Sequence, residues 1–246
     1  MNILEFGRKL IATQDLDPVY TMLYGARLEE KLLKRWLLAY WCFYHSGVAS
    51  RIAESNDWYK EALALYPNCP RGAERRHFRG KNGMDSISFL KARFPNPEDA
   101  VSKLKSLCPA TFPVVCAEVL SWTGFGPWMA FKVCDMVERL LQAKIDFGSA
   151  KLELYDHPAK AALMIAPNRN PSDTARALAA KLNADYCLKA PPDFSRPLNV
   201  QESETILCKY KAHLNGHYAI GKDSVDLKKS LVGWGNTAQR LVEFVP

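Results

Sequence analysis

Several common signatures are missing from this 246-residue chain. Its seven cysteines (42, 69, 108, 116, 134, 187 and 208) form no CxxC pair and are odd in number. Neither a disulfide framework nor a zinc ribbon is therefore indicated, and the thiols are expected to serve as small buried apolar groups. The longest uninterrupted apolar run, Trp36 to Tyr44, is far too short to span a bilayer. The opening stretch MNILEFGRKLIATQD lacks a sustained apolar core after its basic residues, so no signal peptide and a cytoplasmic location are expected. No internal repeat, low-complexity tract or strand of period-two alternation stands out. Carboxylates do not cluster at the spacing of metal ligands.

What is present is an ordinary globular balance, 48% apolar and 24% charged residues, which sets the chain apart from disordered sequences. The net charge of +7 points toward a polyanionic partner. That charge is unevenly placed. The segment 71–81, RGAERRHFRGK, holds five Arg or Lys against one Glu, between the breakers Pro70 and Gly83.

Helical periodicity dominates. Leu28, Leu32, Leu33, Trp36, Leu37 and Tyr40 predict an amphipathic helix from Arg27 to Tyr44. Further helices are predicted over 3–11, after Ser46 and Asp57, and from Asp85 to Phe94. Others follow from Pro97, Phe112, Pro127, Asp156 and Ser172, over 200–214, and near 225–231 and 237–244, with caps and breakers marking the ends. Residues 12–26 read as loop, and APPDFSRP (190–197) as the most linker-like stretch. The fold class expected is all-α, one domain over 1–246 built as two helical lobes around a cleft.

The stretch from Val119 to Asp146 carries the most information. A helix breaks at Gly124-Phe125-Gly126 and restarts at Pro127, a residue suited to a first helical position. Two glycines let the backbone turn sharply and approach a partner closely. Their N–H groups, with the following helix N-terminus, suit an oxyanion such as phosphate. This pattern, at about 112–143, resembles the helix-hairpin-helix of the DNA glycosylase superfamily, whose GxG hairpin grips the DNA backbone. The likeness extends to Asp146, 18 residues after Trp128, near the place of that superfamily's active-site aspartate. Trp128 stands where lyase-type members carry a Schiff-base lysine, so lyase chemistry by that route is not expected.

Together with the hairpin, four further stretches are more specific: YWCFYH (40–45), RGAERRHFRG (71–80), YDHP (155–158) and GHYAIGKDSVDLKKSLVGWGN (216–236). In combination they resemble the α-glutamyl/putrescinyl thymine pyrophosphorylases, a phage-centred family also described as amino acid:DNA transferases. The resemblance covers roughly 20–244. It implies an enzyme of DNA hypermodification, acting in the infected host if phage-encoded. Its substrate would be double-stranded DNA in which 5-hydroxymethyluracil has been pyrophosphorylated. An amine, either an amino acid or a polyamine, would replace the pyrophosphate and leave a C5–CH2–N bond.

That chemistry sets requirements. Cations must meet the charge that builds on the departing pyrophosphate, and arginine forks grip phosphate oxygens best. Arg75, Arg79 and His77 are the candidates for catalysis and Arg76 for substrate binding; their alternative is a loop that only touches DNA backbone. An attacking amine must lose a proton, and Asp146 is the first candidate base, its alternative being a local cap. Trp41, Tyr44 and Trp128 are candidates to stack on a base drawn from the duplex, although aromatics at helical spacing also build cores. His45 is either a ligand contact or a helix-end polar group. Gly124, Phe125 and Gly126 are assigned to the DNA backbone. Asp135, Asp156, His157, Lys222 and Asp223 are weighed below these. No cofactor is assigned, and magnesium, a regular companion of pyrophosphate, is the one candidate. A monofunctional glycosylase is the competing enzyme, and a non-catalytic DNA-binding module the third reading.

Overall fold

The computed structural model of the chain describes residues 1–70, 80–152 and 155–246. Arg75, Arg76, His77 and Arg79 thus lie outside the described residues. Fourteen α-helices are found among those described. Helices α1 (Ile3–Ala12), α2 (Pro18–Ala26), α3 (Glu30–Phe43), α4 (Ser46–Glu54) and α5 (Trp58–Leu65) precede the gap. Then come α6 (Gly80–Arg93), α7 (Pro97–Ser106), α8 (Phe112–Leu120) and α9 (Pro127–Leu141). The rest are α10 (Asp156–Ile165), α11 (Pro171–Tyr186), α12 (Val200–Leu214), α13 (Lys222–Leu231) and α14 (Asn236–Val242). The class is all-α. The one sheet element among the described residues is a two-residue parallel pair, β1 (Ala110–Thr111) with β2 (Ile145–Asp146), flanking the α8–α9 hairpin.

Helix α3 shows how the sequence dictates an element. Glu29 caps it by accepting from the N–H groups of Lys31 (3.0 Å) and Leu32 (3.1 Å). Its apolar face, with Trp36, Leu37, Tyr40, Trp41 and Phe43, is buried against α4 and α7. Each such side chain contributes roughly 1.5–3 kcal/mol when taken from water. Tyr44, in the left-handed region at φ 50°, ends it.

Four expectations need correction, the first being the helix start at Asp85, which with Gly83 lies inside α6. Residues 18–26 form α2, because Asp17-Pro18 is a cap-and-first-turn pair rather than a turn; Arg27, taken as a helix start, is instead the left-handed end of α2. Residues 190–197 are not a linker. Ala190 is buried, Lys189 bridges Pro197, and Pro191 O accepts from Arg139. The thiols are not uniformly buried either, since Cys187 is exposed and Cys69, Cys108 and Cys208 are half-buried.

One polar-looking stretch lies deep in the molecule. At the start of α12, Gln201, Glu202, Ser203, Glu204 and Thr205 are all buried, with α1, α10 and α11 packed around it. The far end of the chain closes over α2 and α4. Gly221, the N-cap of α13, has no side chain to offer, and the buried Asp15 does the capping from 206 residues away. It accepts from the N–H groups of Gly221 (2.7 Å) and Ser224 (2.9 Å), and from the Ser224 and Tyr218 hydroxyls.

Candidate active site

A cavity of about 110 Å³ opens where α2, α3, α4, α9, α12 and α13 meet. It has room for several waters at roughly 30 Å³ each. One wall is aromatic. The rings of Trp36 and Tyr40 stack at 4.9 Å, Tyr40 and Tyr44 lie 4.7 Å apart, and Trp128 meets Tyr44 edge-on at 5.4 Å. The i, i+4 spacing along α3 builds this column, and Tyr40, Tyr44 and Trp128 line the cavity. His45 lines it too while capping α4, its Nδ1 accepting from the Val48 N–H at 3.2 Å.

The other wall is charged. Lys132, one helical turn beyond Trp128, is nearly buried. Its ammonium donates to Thr205 Oγ1 (3.1 Å) and Asp17 Oδ1 (3.4 Å) and stands 3.8 Å from Glu204 Oε2. Three carboxylates thus surround one ammonium, Asp135 being the third at 3.9 Å. Lys209 pairs with Asp223 at 2.6 Å and donates to the Asp15 carbonyl. Asp226 pairs with Lys222 at 2.5 Å.

Behind this wall lies a buried polar network. Arg139 sits 3.5–3.6 Å from Asp17, Asp135 and Glu202, over the Tyr20 ring. Burial opposes its charge, but Asp135, Glu202 and Asp17 more than reverse that and hold the guanidinium above its ordinary pKa. Arg196 grips Glu138 with two parallel hydrogen bonds at 3.0 Å and Glu202 with two more at 3.1 Å. Asp135 accepts from the Tyr20 hydroxyl and the Gln201 amide, both at 2.7 Å. Burial, then Asp135, pushes the Tyr20 phenol well above its usual range.

Among the described residues, the structure brings together Tyr44, His45, Trp128 and Asp223 at this cavity, whereas Trp41, Asp146 and the hairpin residues do not line it. Trp41 is fully buried, donating to Met136 Sδ at 3.2 Å. It belongs to the core and has no face to offer a base. Asp146 lines a different cavity, of about 430 Å³, with Arg176, Asn183, Arg196 and Asn199. There its Oδ1 accepts from the Gly148 N–H at 2.8 Å and closes a turn. In the hairpin, Gly124 takes φ 88°, where a side chain is strained. Phe125 is buried and its N–H is already given to Trp122 O, so it has no donor left for DNA. Gly126 is extended at φ −91°, and a Cβ there would meet no atom of the chain. Asp135 is buried rather than on a surface face; Asp156 is exposed and paired with Lys160. Asp223 does more than open α13, because it reaches the cavity.

Sequence reasoning missed Asp17, Lys132, Glu204 and Lys209. For Lys132 a signal existed, since it shares a helix face with Trp128 at i+4. For Glu204 the polar run QESET masked a buried helix.

Among the described residues no three His, Cys, Asp or Glu side chains stand at metal-binding separation. No helix among them is long and apolar enough to cross a membrane.

Residues 11–218 match the family described as amino acid:DNA transferase. The chain is 36% identical to a glycinyltransferase of Pseudomonas phage PaMx11, over all of this chain and 96% of that protein. It is 28% identical to a putrescinyltransferase of Delftia phage PhiW-14, over 99% of this chain and 82% of the relative.

Proposed function

The chain belongs to the amino acid:DNA transferase family, a transferase of DNA hypermodification by amine transfer, and from that footing we propose its substrates and site. The base is 5-(pyrophosphoryloxymethyl)uracil in duplex DNA, and a small amine displaces the pyrophosphate. One observation carries this reading. A single cavity joins the half-buried rings of Tyr44 and Trp128 to the buried Lys132, Glu204 and Lys209 and the half-buried Asp17, Asp223 and Asp226. A base drawn from the duplex stacks on those rings. The carboxylates receive a cationic amine, and Lys132 with Lys209 set the local field.

Arg75, Arg76, Arg79 and His77 take the pyrophosphate oxygens. The hairpin at Gly124 and Gly126 holds a phosphate of the DNA backbone. Asp146 shapes its own turn rather than moving a proton. A magnesium ion, where one is used, would come bound to the pyrophosphate.

The test is direct. Purified protein is mixed with duplex DNA carrying the pyrophosphorylated base and a panel of amino acids and polyamines. Pyrophosphate is assayed, and the digested nucleosides are weighed by mass spectrometry. Pyrophosphate together with one amine-bearing thymidine is expected. Abasic sites without pyrophosphate would return the chain to the glycosylases.

A further inference from the structure

Four carboxylates line the cavity, and they differ in how they are held. Asp17 is shared by Lys132 at 3.4 Å and Arg139 at 3.5 Å. Asp223 is clamped by Lys209 at 2.6 Å, and Asp226 by Lys222 at 2.5 Å. Glu204, 2% exposed, accepts from the Thr205 hydroxyl at 3.3 Å and has the Lys132 ammonium at 3.8 Å. Of the four, Glu204 is the one taken almost wholly out of water, and a carboxylate kept from bulk water is suited to accept a proton. It shares its cavity with Tyr44 and Trp128, the rings assigned to the modified base.

We propose that Glu204 is the catalytic base of the transfer and that Lys132 is its positioning residue, a role that rests on the transferase reading above. An incoming ammonium gives one proton to a Glu204 oxygen. The freed nitrogen lone pair forms the C–N bond at the C5 methylene as the C–O bond breaks, and the electron pair of that bond leaves with the pyrophosphate. The secondary ammonium product sheds its second proton to solvent. No oxidant or reductant enters.

The other ionisable groups around the cavity are Asp17 beside α2, Tyr40, Tyr44 and His45 from α3 and α4, Lys132 from α9, Cys208 and Lys209 from α12, and Asp223 and Asp226 from α13. Of these, His45 has an ordinary titration range nearest neutrality, so the test must separate it from Glu204.

The experiment compares wild type, Glu204→Gln, His45→Asn, Lys132→Met and Lys132→Arg on the pyrophosphorylated duplex. Two nucleophiles are used: the primary amine the wild type accepts, and an alkoxyamine that is already uncharged at pH 7. Glu204→Gln should lower kcat for the primary amine about 10²–10⁴-fold at pH 7, with KM for DNA little changed. That loss should shrink to a few-fold with the alkoxyamine, or with the primary amine as pH rises and the amine deprotonates in solution. The acid limb of kcat/KM should vanish in Glu204→Gln and persist in His45→Asn. In Lys132→Met the limb should move to higher pH, because a carboxylate without its cation holds its proton longer, and in Lys132→Arg it should return.

Equal loss with both nucleophiles and at every pH would make Glu204 structural and overturn the proposal, as would an unaffected Glu204→Gln. A limb that stays fixed in Lys132→Met would remove the positioning role. A wild type that releases no pyrophosphate with any amine fails the transferase reading itself, a result distinct from these.

Discussion

Asp17 stands just before Pro18, where an aspartate ordinarily caps its own helix, yet it makes no such bond. Its carboxylate serves Lys132, Arg139 and the Thr205 hydroxyl instead. A residue with a cheap local use has been turned to a distant one. Arg139 is the reciprocal case, a cation on which Asp17, Asp135 and Glu202 all depend. Arg139→Ala should cost about 3–5 kcal/mol, because it strands buried carboxylates, and a urea titration would read that loss. A loss below about 1 kcal/mol would mean the network rearranges around the gap. Residues of this kind are poorly legible in sequence. That Tyr44, His45 and Trp128 share one cavity fits their place in an aromatic cluster and beside a glycine hairpin, features that stand out locally. Lys132 and Glu204 do not, because a charged residue reads as surface until its partners, 70 or more residues away, are known to surround it. Trp41 failed in the opposite sense: the aromatic run that flagged the site also builds the core beneath it.

At the scale of elements, most helices were visible through caps and periodicity. Asn199 with Glu202 opens α12 as a full capping box, and α12 runs as the pattern predicts. The loop reading of α2 failed because Asp17 and Pro18, residues common in turns, here stand at the start of a helix. The two hairpin glycines differ in their roles. Gly124→Ala should destabilise the fold by roughly 1–2 kcal/mol, the cost of a side chain at positive φ. Gly126→Ala should leave the melting temperature unchanged, since the chain itself leaves that space open, while weakening DNA affinity. Thermal melts and DNA titrations on both variants would show this; affinity unchanged in both removes the hairpin from the interface. Gly47 on α4 is more demanding. A Cβ there would collide with the Trp234 ring and the Ser230 carbonyl, so Gly47→Ala should cost about 1–3 kcal/mol by overpacking.

For the molecule as a whole, a net charge of +7 surrounds a cavity whose own lining is richer in carboxylates than in lysines. On the reading proposed above, attraction to DNA belongs to the exterior, and discrimination to the interior. Replacing Arg75, Arg76 and Arg79 together with alanine separates the two uses of that segment. If they touch backbone phosphates, the slope of log affinity against log salt should fall by about 0.9 for each phosphate that is no longer neutralised. If they serve the leaving pyrophosphate, turnover should collapse while the slope holds. The expected result is the second.

One joint gives this arrangement an order in time. Asp15, near the start of the chain, holds the first turn of α13, and α13 carries Asp223, Asp226 and Ser230 into the cavity wall. During synthesis, then, the ribosome must release residues beyond 230 before the pocket has its last side. Catalytic competence would arrive late and all at once, so that half-made or C-terminally clipped copies would stay inert instead of altering DNA carelessly.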